Sequence, residues 1–321
     1  MSYAVILALA LTGAQPAGAP SIQWNYLYRL ATLTGNVATS WATVGVDRRS
    51  GELLMVDGTA GVVRILNASG MQTYEFGDDE ALGQPVAVAP LGADDLVVIA
   101  IRRGERVVLR CNFRGEVQGP FELRDVPPSL ATEFLPDAVF NATGRVYIAD
   151  TNAFRVLAFD ENGTFIRAYD LGKLLELDEA KKADNAIVGL SVDVAGNILF
   201  AVPTFFQAFI VSPAGESRAF GVRGSSPGKF NLVGGIAADE QGYVYVSDQL
   251  RAVVMVFDPN LSFLGEFGYR GRMPHNLIAP RVSLAAGGKV YVSQSAGRGV
   301  SVFNVVPVAP AIDPEPAGAT R

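Results

Sequence analysis

Cysteine and histidine are almost missing from this chain of 321 residues, which contains one of each. Cys111 has no second cysteine for an internal disulfide, and the strand-like run from Val107 to Phe113 predicts that it is a small buried residue. His275 is the single histidine, so nucleophilic triads and most zinc sites lack a residue that they need. Its loop contains Gly and Pro, and we expect it to have a structural, solvent-facing role there.

Positive charge is also in short supply, with 26 Lys and Arg against 32 Asp and Glu and a net charge of −6. Nonspecific nucleic-acid binding needs basic charge concentrated on one face, which this overall balance does not supply. The sequence has no Gly-rich phosphate loop after a strand and no haem-binding Cys-x-x-Cys-His motif. We therefore predict no cofactor and no nucleic-acid partner. No segment after the amino-terminal region is a candidate to span a membrane.

The amino-terminal residues predict an export signal. Ala4 to Leu11 is an unbroken apolar run that is too short to cross a bilayer, and small residues that could be cleaved follow it. No Lys or Arg precedes the run, which is unusual for a signal peptide. We expect a signal peptide at residues 1–19 and a periplasmic or secreted protein. The alternative is a frayed or wrongly assigned start.

Glycine and β-branched residues are abundant, and turns recur at a regular interval. Turn positions separated by 44 to 52 residues are Gly51, Asp95, Gly144, Gly196, Gly242 and Gly288. The clearest unit covers residues 221–268, where four short apolar segments alternate with Gly, Pro, Asn and Asp turns. Four antiparallel strands in about 45 residues are typical of a propeller blade. The sequence therefore predicts an all-β, six-bladed β-propeller of four-stranded antiparallel blades at residues 20–306.

The two ends of the propeller are predicted to meet. Ile22 to Leu33 alternates bulky residues like an outer strand, yet no blade precedes it. The last blade lacks an outer strand, because the chain becomes Pro-rich after Val300 to Val306. We predict that the amino-terminal strand completes the last blade and removes its open edge. The Pro/Ala-rich tail at 307–321 is predicted to be disordered, and residues 171–183 are predicted to form a short helix covering one face.

The unit at 221–268 resembles the NHL repeat. Its matching motifs are Pro227-Gly228-Lys229-Phe230-Asn231, Gly235 to Asp239 and Tyr245 to Asp248, which occur in the family's order. The segment from Asp150 to Val156 is similar to the family's hairpin, whereas Val253 stands where the family has a later Arg. The resemblance implies a noncatalytic binding or scaffold protein that binds a protein or an anionic envelope polymer, as a monomer or within a larger assembly. Amidating lyases among six-bladed relatives need several zinc-binding histidines, so that activity is not expected.

A metal-dependent hydrolase or lyase is the alternative function. Calcium-dependent lactonase propellers, which this chain is similar to in predicted fold, place Glu, Asn and Asp around the central channel. Candidate carboxylates here are Asp47, Asp193 and Asp239, which recur directly before a turn. Their identical placement favours capping of the turn by side-chain hydrogen bonds, and we predict neither a catalytic nor a metal-binding residue.

Basic residues concentrate in the loops of blades five and six. In such a propeller, inter-blade loops and the hairpins between strands two and three emerge on one face, which could recognise an anionic partner. Ordinary solvated charge is the alternative. Phe205 and Phe206 replace the polar hairpin of other blades, and they are either a contact surface or packed against residues 171–183. The predicted partner-binding residues are Arg223, Lys229, Arg251, Arg270, Arg272, Arg298, Phe205 and Phe206.

Overall fold

The computed structural model describes residues 21–77 and 79–308, and their strands form six four-stranded antiparallel sheets. The predicted six-bladed β-propeller is confirmed. The signal peptide predicted at 1–19 lies outside the described residues. So does the tail predicted at 307–321, except for Pro307 and Val308, which belong to the last strand.

In blades one to five, the first strand along the chain lies nearest the central channel and the fourth lies outermost. The bounds of these strands follow the predicted repeat. Blade one contains β2 (Thr43–Val46), β3 (Leu53–Asp57), β4 (Val62–Leu66) and β5 (Gln72–Phe76). Blade two contains β6 (Gln84–Leu91), β7 (Asp95–Arg102), β8 (Glu105–Asn112) and β9 (Val117–Pro120). Blade three contains β10 (Ala138–Ala142), β11 (Arg145–Asp150), β12 (Arg155–Asp160) and β13 (Phe165–Asp170). Blade four contains β14 (Val188–Val192), β15 (Ile198–Val202), β16 (Gln207–Val211) and β17 (Ser217–Phe220). Blade five contains β18 (Val233–Ala238), β19 (Val244–Asp248), β20 (Val253–Phe257) and β21 (Phe263–Phe267).

Blade six closes the ring with strands from both ends of the described chain. It consists of β22 (Arg281–Ala286), β23 (Lys289–Gln294), β24 (Gly299–Val308) and β1 (Ser21–Leu30). β1 pairs antiparallel with β24 from Ser21 opposite Val308 to Leu30 opposite Val300. Trp24 packs on Phe267 and Phe303, with ring centroids 5.6 and 6.1 Å apart, so aromatic contacts reinforce the ladder. The predicted closure by the amino-terminal strand is confirmed.

The middle strands of the blades are buried on both faces, which explains their sequences. All five residues of β3, of β19 and of β20 are buried, because each blade is packed between two others. Such strands are nearly continuous apolar runs and do not alternate polar and apolar residues. The buried apolar side chains form six clusters, one at each junction between neighbouring blades of the described chain. Cys111 is fully buried in one of them, as its sequence context predicts.

The predicted helix at residues 171–183 is wrong as a single element. Two short turns of helix stand there instead, α2 (Leu171–Leu174) and α3 (Glu179–Ala183), while α1 (Pro128–Ala131) lies in an earlier inter-blade loop. Separate caps explain the break, because Asp170 accepts from the Lys173 N–H and Asp178 accepts from the Lys181 N–H. Between them Glu176 adopts a φ of 55°, which a helix does not allow.

Candidate functional site

The propeller has two unlike faces. On the upper face, the inner strands begin and the inter-blade loops meet the hairpins that join second and third strands. On the lower face are the turns that follow the inner strands. The upper-face segments 221–232 and 268–278, with the blade-five hairpin at 249–252, adjoin one another and are here called the cationic band. They contain five Lys and Arg residues and no Asp or Glu, within a protein of net charge −6.

Asp248 holds the blade-five part of the cationic band together. Its carboxylate is fully buried and accepts hydrogen bonds from the backbone N–H groups of Asn231 (2.7 Å), Leu232 (3.2 Å) and Arg251 (3.0 Å). The first two donors belong to the inter-blade loop and the third to the hairpin. One side chain therefore fixes two separate segments of the band, because an ionised acceptor in a buried place binds several N–H donors strongly.

Two of the predicted binding residues serve mainly as structural ties. Arg251 forms an ion pair with Glu266 in which the two side chains are only 12% and 20% exposed. Arg298 donates to the carbonyl groups of Arg272 (2.9 Å), Met273 (2.7 Å) and Asn276 (3.0 Å). Burial lowers the pKa of its guanidinium. These contacts place the loops of blades five and six but leave the two guanidinium groups little freedom to meet a partner.

The other predicted cations point outward. Arg223, Lys229, Arg270 and Arg272 are exposed. Arg270 donates one hydrogen bond to the Leu250 carbonyl at 3.1 Å, which links the blade-six loop to the blade-five hairpin. The structure thus brings the predicted basic residues of blades five and six into one continuous surface. Arg251 and Arg298 hold its loops in place from below, and the exposed cations face the solvent.

Phe205 and Phe206 have different environments although they are adjacent. Phe205 packs with the buried cluster between blades three and four, which also contains Leu174 and Leu177. Phe206 adopts a left-handed backbone conformation, with φ 56°, and packs with the cluster between blades four and five. The Arg223 guanidinium lies over its ring at 4.9 Å, so Phe206 borders the cationic band, while Phe205 packs against the same cluster as leucines of the 171–183 segment.

Large apolar side chains are exposed among these charges. Val222, Leu250, Tyr269 and Met273 are between 53% and 65% exposed, and all four lie in the cationic band. The Tyr269 hydroxyl and His275 Nε2 are 2.7 Å apart, which gives the single histidine the structural role in a surface loop that its sequence predicts. An exposed surface that combines apolar and arginine side chains has the composition of a protein-binding site.

The carboxylates considered for a metal are committed to turns on the lower face. Asp193 accepts from the N–H groups of Ala195 and Asn197, each at 2.9 Å, and Asp47 accepts from the Arg49 N–H at 3.0 Å. Asp239 accepts from two N–H groups and from the Tyr245 hydroxyl, and burial raises its pKa. The predicted turn-capping role is confirmed. Within residues 21–77 and 79–308, no three metal-binding His, Cys, Asp or Glu side chains come together.

The upper mouth of the central channel is a second candidate site. A cavity of about 480 Å³ opens there, and every blade contributes to its wall. The wall has apolar and polar surface in similar amounts, and its residues include one from each blade in order: Trp41, Val86, Asp137, Val188, Gly234 and Arg281. Gly189 is needed at this wall because it has a φ of 63° and a Cβ there would lie 2.3 Å from the Gly235 Cα. The mouth therefore combines a ligand-sized space with both apolar side chains and polar groups on its wall.

Arg281 is the unusual residue of this channel mouth. It is the first residue of β22, and its guanidinium carbon lies 3.7 Å from the centre of the Trp41 ring. The indole is itself fixed by a hydrogen bond of 2.9 Å from its Nε1 to the Ala279 carbonyl. Arg281 Nε is buried without a partner among the described residues. Burial lowers the pKa of the guanidinium, and no carboxylate of residues 21–77 and 79–308 offsets that effect.

Asp137 is the acidic residue of the channel mouth, and it is engaged elsewhere. It precedes β10 of blade three, which is three blades from blade six in either direction. Its carboxylate accepts from the Thr151 N–H at 3.2 Å and from the Thr151 hydroxyl. Burial raises its pKa, which these hydrogen bonds and the charge of Arg106 oppose. Asp137 is thus tied to its own hairpin and does not neutralise Arg281.

Sequence reasoning missed Arg281 and Trp41 as site residues. The sequence did contain an indication of Arg281. This arginine begins an inner strand, and at the equivalent position other blades have small or apolar residues such as Val86, Val188 and Gly234. No sequence pattern indicated that Arg281 stacks on Trp41, since the two residues are 240 positions apart and meet only because the ring of blades closes.

Comparison with known proteins identifies a fold but no family. No protein-family profile and no curated protein matches the chain. Virginiamycin B lyase from Staphylococcus aureus is similar in structure, with 10% sequence identity, a TM-score of 0.58 and coverage of 90% of this chain and 100% of the lyase. A protein of unknown function from Bacteroides thetaiotaomicron has 13% identity and a TM-score of 0.59, covering 89% of this chain and 77% of its own. A gluconolactonase from Xanthomonas campestris has 14% identity and a TM-score of 0.52, covering 92% and 99%.

These neighbours are six-bladed propeller proteins, and at such identities the likeness concerns the fold alone. The helices of the described chain are all too short to cross a membrane.

Proposed function

We propose that this protein is a noncatalytic, exported, NHL-like propeller that docks an acidic protein segment on its cationic band. One observation carries the proposal: four exposed cations and no acids share the band with four exposed apolar side chains, on a protein that is acidic overall. Clustered positive charge attracts an acidic partner and orients it during association.

The apolar side chains favour a protein over a polyanionic glycan. Leu250, Met273 and Val222 can bury their exposed surface only against apolar groups of a partner, at about 25 cal/mol for each Å² removed from water. Tyr269 and the free arginines belong to the residue types that contribute most to protein interfaces. A polyanionic glycan would pair with the cations but would leave the apolar side chains exposed to water.

The band is well prepared for docking because its loops are already fixed. Asp248 joins one loop to the hairpin, and Arg298 binds three carbonyl groups of the next loop. A preorganised surface loses less conformational entropy when it binds. Arg223, Arg270 and Arg272 remain exposed on this frame and are the residues to change in a test.

Export and membership of the NHL family are part of the proposal. The apolar run Ala4 to Leu11 supports export, and the Gly/Pro loop and hairpin motifs of blade five support the NHL resemblance. Amino-terminal sequencing of protein recovered from the periplasm or medium of an expressing bacterium tests export. A start within residues 13–20 is expected, whereas an intact Met1 in cytosolic protein would contradict it.

The docking test uses a random peptide library displayed against the purified propeller. Enriched peptides should combine Asp or Glu with apolar residues, and they should bind at least tenfold more weakly to the triple variant Arg223→Glu, Arg270→Glu, Arg272→Glu. The matched control is Arg49→Glu, Arg103→Glu, Arg114→Glu, which has the same net charge and alters exposed arginines outside the band. Equal losses in both variants, or selection of acidic peptides without apolar residues, would contradict the proposed surface. Binding of a sulfated glycan in place of any peptide would assign the band to a polymer.

A further inference from the structure

The channel mouth contains a positive charge without a negative partner. Arg281 is partly buried in the wall described above, its Nε has no hydrogen-bond acceptor, and no carboxylate of the described residues forms an ion pair with it. A buried ionised group is costly unless it is paired, and buried cations in proteins nearly always have a partner. Stacking on Trp41 at 3.7 Å offsets part of this cost but leaves the buried Nε donor without a match among the described residues.

We infer that the channel mouth is a binding site for a small carboxylate with an apolar body, whose carboxylate pairs with the Arg281 guanidinium. The planar fork of arginine fits a carboxylate through two parallel hydrogen bonds. The stacked indole, held by the Ala279 carbonyl, keeps that fork in a fixed plane. The ligand would complete the ion pair that the chain itself leaves open.

The remaining wall selects the rest of the ligand. Val86, Val188 and Ile236 belong to the apolar part of the lining around about 480 Å³ of space, within the range of small-molecule sites. Asp137 stands on the opposite blade and is tied to Thr151, so it neither pairs with Arg281 nor approaches the bound carboxylate from the same side. A free inorganic anion would gain the charge contact but leave the apolar wall empty.

The site is independent of the cationic band. Arg281 lies in an inner strand at the channel, whereas the band consists of the loops at 221–232, 249–252 and 268–278. A variant that abolishes peptide docking should therefore still bind the carboxylate. A variant of Arg281 that no longer binds the carboxylate should still dock the peptide.

Trp41 provides the readout. The chain has two tryptophans, and the variant Trp24→Phe leaves Trp41 as the single indole, directly against Arg281. In this background, titration with octanoate should change the fluorescence in a saturable way. Octanol, which lacks the charge, and acetate, which lacks the apolar body, should bind at least tenfold more weakly.

Substitution of the guanidinium then assigns the effect. Arg281→Met retains an unbranched apolar stem and should weaken octanoate binding by roughly 10- to 100-fold, the range expected when a charge-assisted contact is lost. Arg281→Lys keeps the charge without the fork or the stack and should be intermediate. The control Arg103→Met changes an exposed arginine of the blade-two hairpin, outside the cationic band, and should bind like the parent.

The inference is overturned by any of three results: no saturable response to octanoate, equal binding of octanol and octanoate, or unchanged binding in Arg281→Met. Circular dichroism and thermal unfolding of each variant establish that a loss is not due to misfolding. Since Arg281→Met removes a partly buried charge that has no ion-pair partner among the described residues, its melting temperature should equal or exceed that of the parent. A folded Arg281→Met protein that still binds octanoate would assign Arg281 a purely structural role.

Discussion

The variant Asp248→Ala tests the physical basis of the cationic band. The buried carboxylate accepts from three backbone N–H groups, at 2.7, 3.0 and 3.2 Å, and removing it leaves all three donors without this acceptor. A hydrogen bond to a charged group contributes about 1.5–3 kcal/mol, and such contributions within one cluster are not additive. We therefore expect a loss of about 3–5 kcal/mol in the free energy of unfolding.

Urea unfolding followed by both circular dichroism and tryptophan fluorescence measures this loss. The matched control is Asp258→Ala in the same blade, where the carboxylate accepts from the Ser262 N–H at 2.7 Å in an exposed turn, and about 1 kcal/mol is expected. The loops that Asp248 holds should also exchange their amide hydrogens faster in the variant, at residues 229–232. If the two variants lose equal stability, Asp248 does not hold the band in the way described.

Three further predictions concern the core, the closure and the channel. Burial raises the pKa of the Cys111 thiol to about 12, so iodoacetamide should not label the native protein at pH 8 but should label it in urea; rapid native labelling would contradict the burial. Because that pKa is raised, the protonated thiol stabilises the folded protein below the unfolded pKa of 9.0, and this contribution is lost as the pH rises towards 12. The free energy of unfolding of Cys111→Ala should therefore change less with pH in that range than that of the parent. Trp24→Ala should destabilise the protein by roughly 3 kcal/mol, because it removes a ring that packs across the closure on Phe267 and Phe303, and an unchanged urea midpoint would show that the closure does not depend on it. Arg281→Met should unfold at the same or a higher temperature than the parent, and a clear decrease would mean that the guanidinium stabilises the fold.

The repeat made most of the fold predictable from sequence. Turn residues at regular spacing marked the blades, and the apolar runs between them marked the buried strands, because local turn chemistry and burial act within a few residues. The closure by β1 could also be inferred, since a missing outer strand and a spare one complement each other. The segment at 171–183 was harder, because its leucines fit a helical period while Asp170 and Asp178 start separate turns.

The candidate sites were less predictable, for a physical reason. Charge density along the chain indicated the cationic band, but not that Arg251 and Arg298 are occupied by Glu266 and by carbonyl groups of a neighbouring loop. The channel mouth is assembled from residues of all six blades. Such a site depends on ring geometry, so the stacking of Arg281 on Trp41 has no counterpart in local sequence patterns.

Hydrogen–deuterium exchange of the propeller, alone and saturated with a selected acidic peptide, tests the docking surface most directly. Protection should be confined to the amides of residues 221–232, 249–252 and 268–278, with the turns of the lower face unchanged. Protection of the lower turns around Asp47 and Asp193, with no change in those three segments, would contradict the proposed role of the upper face.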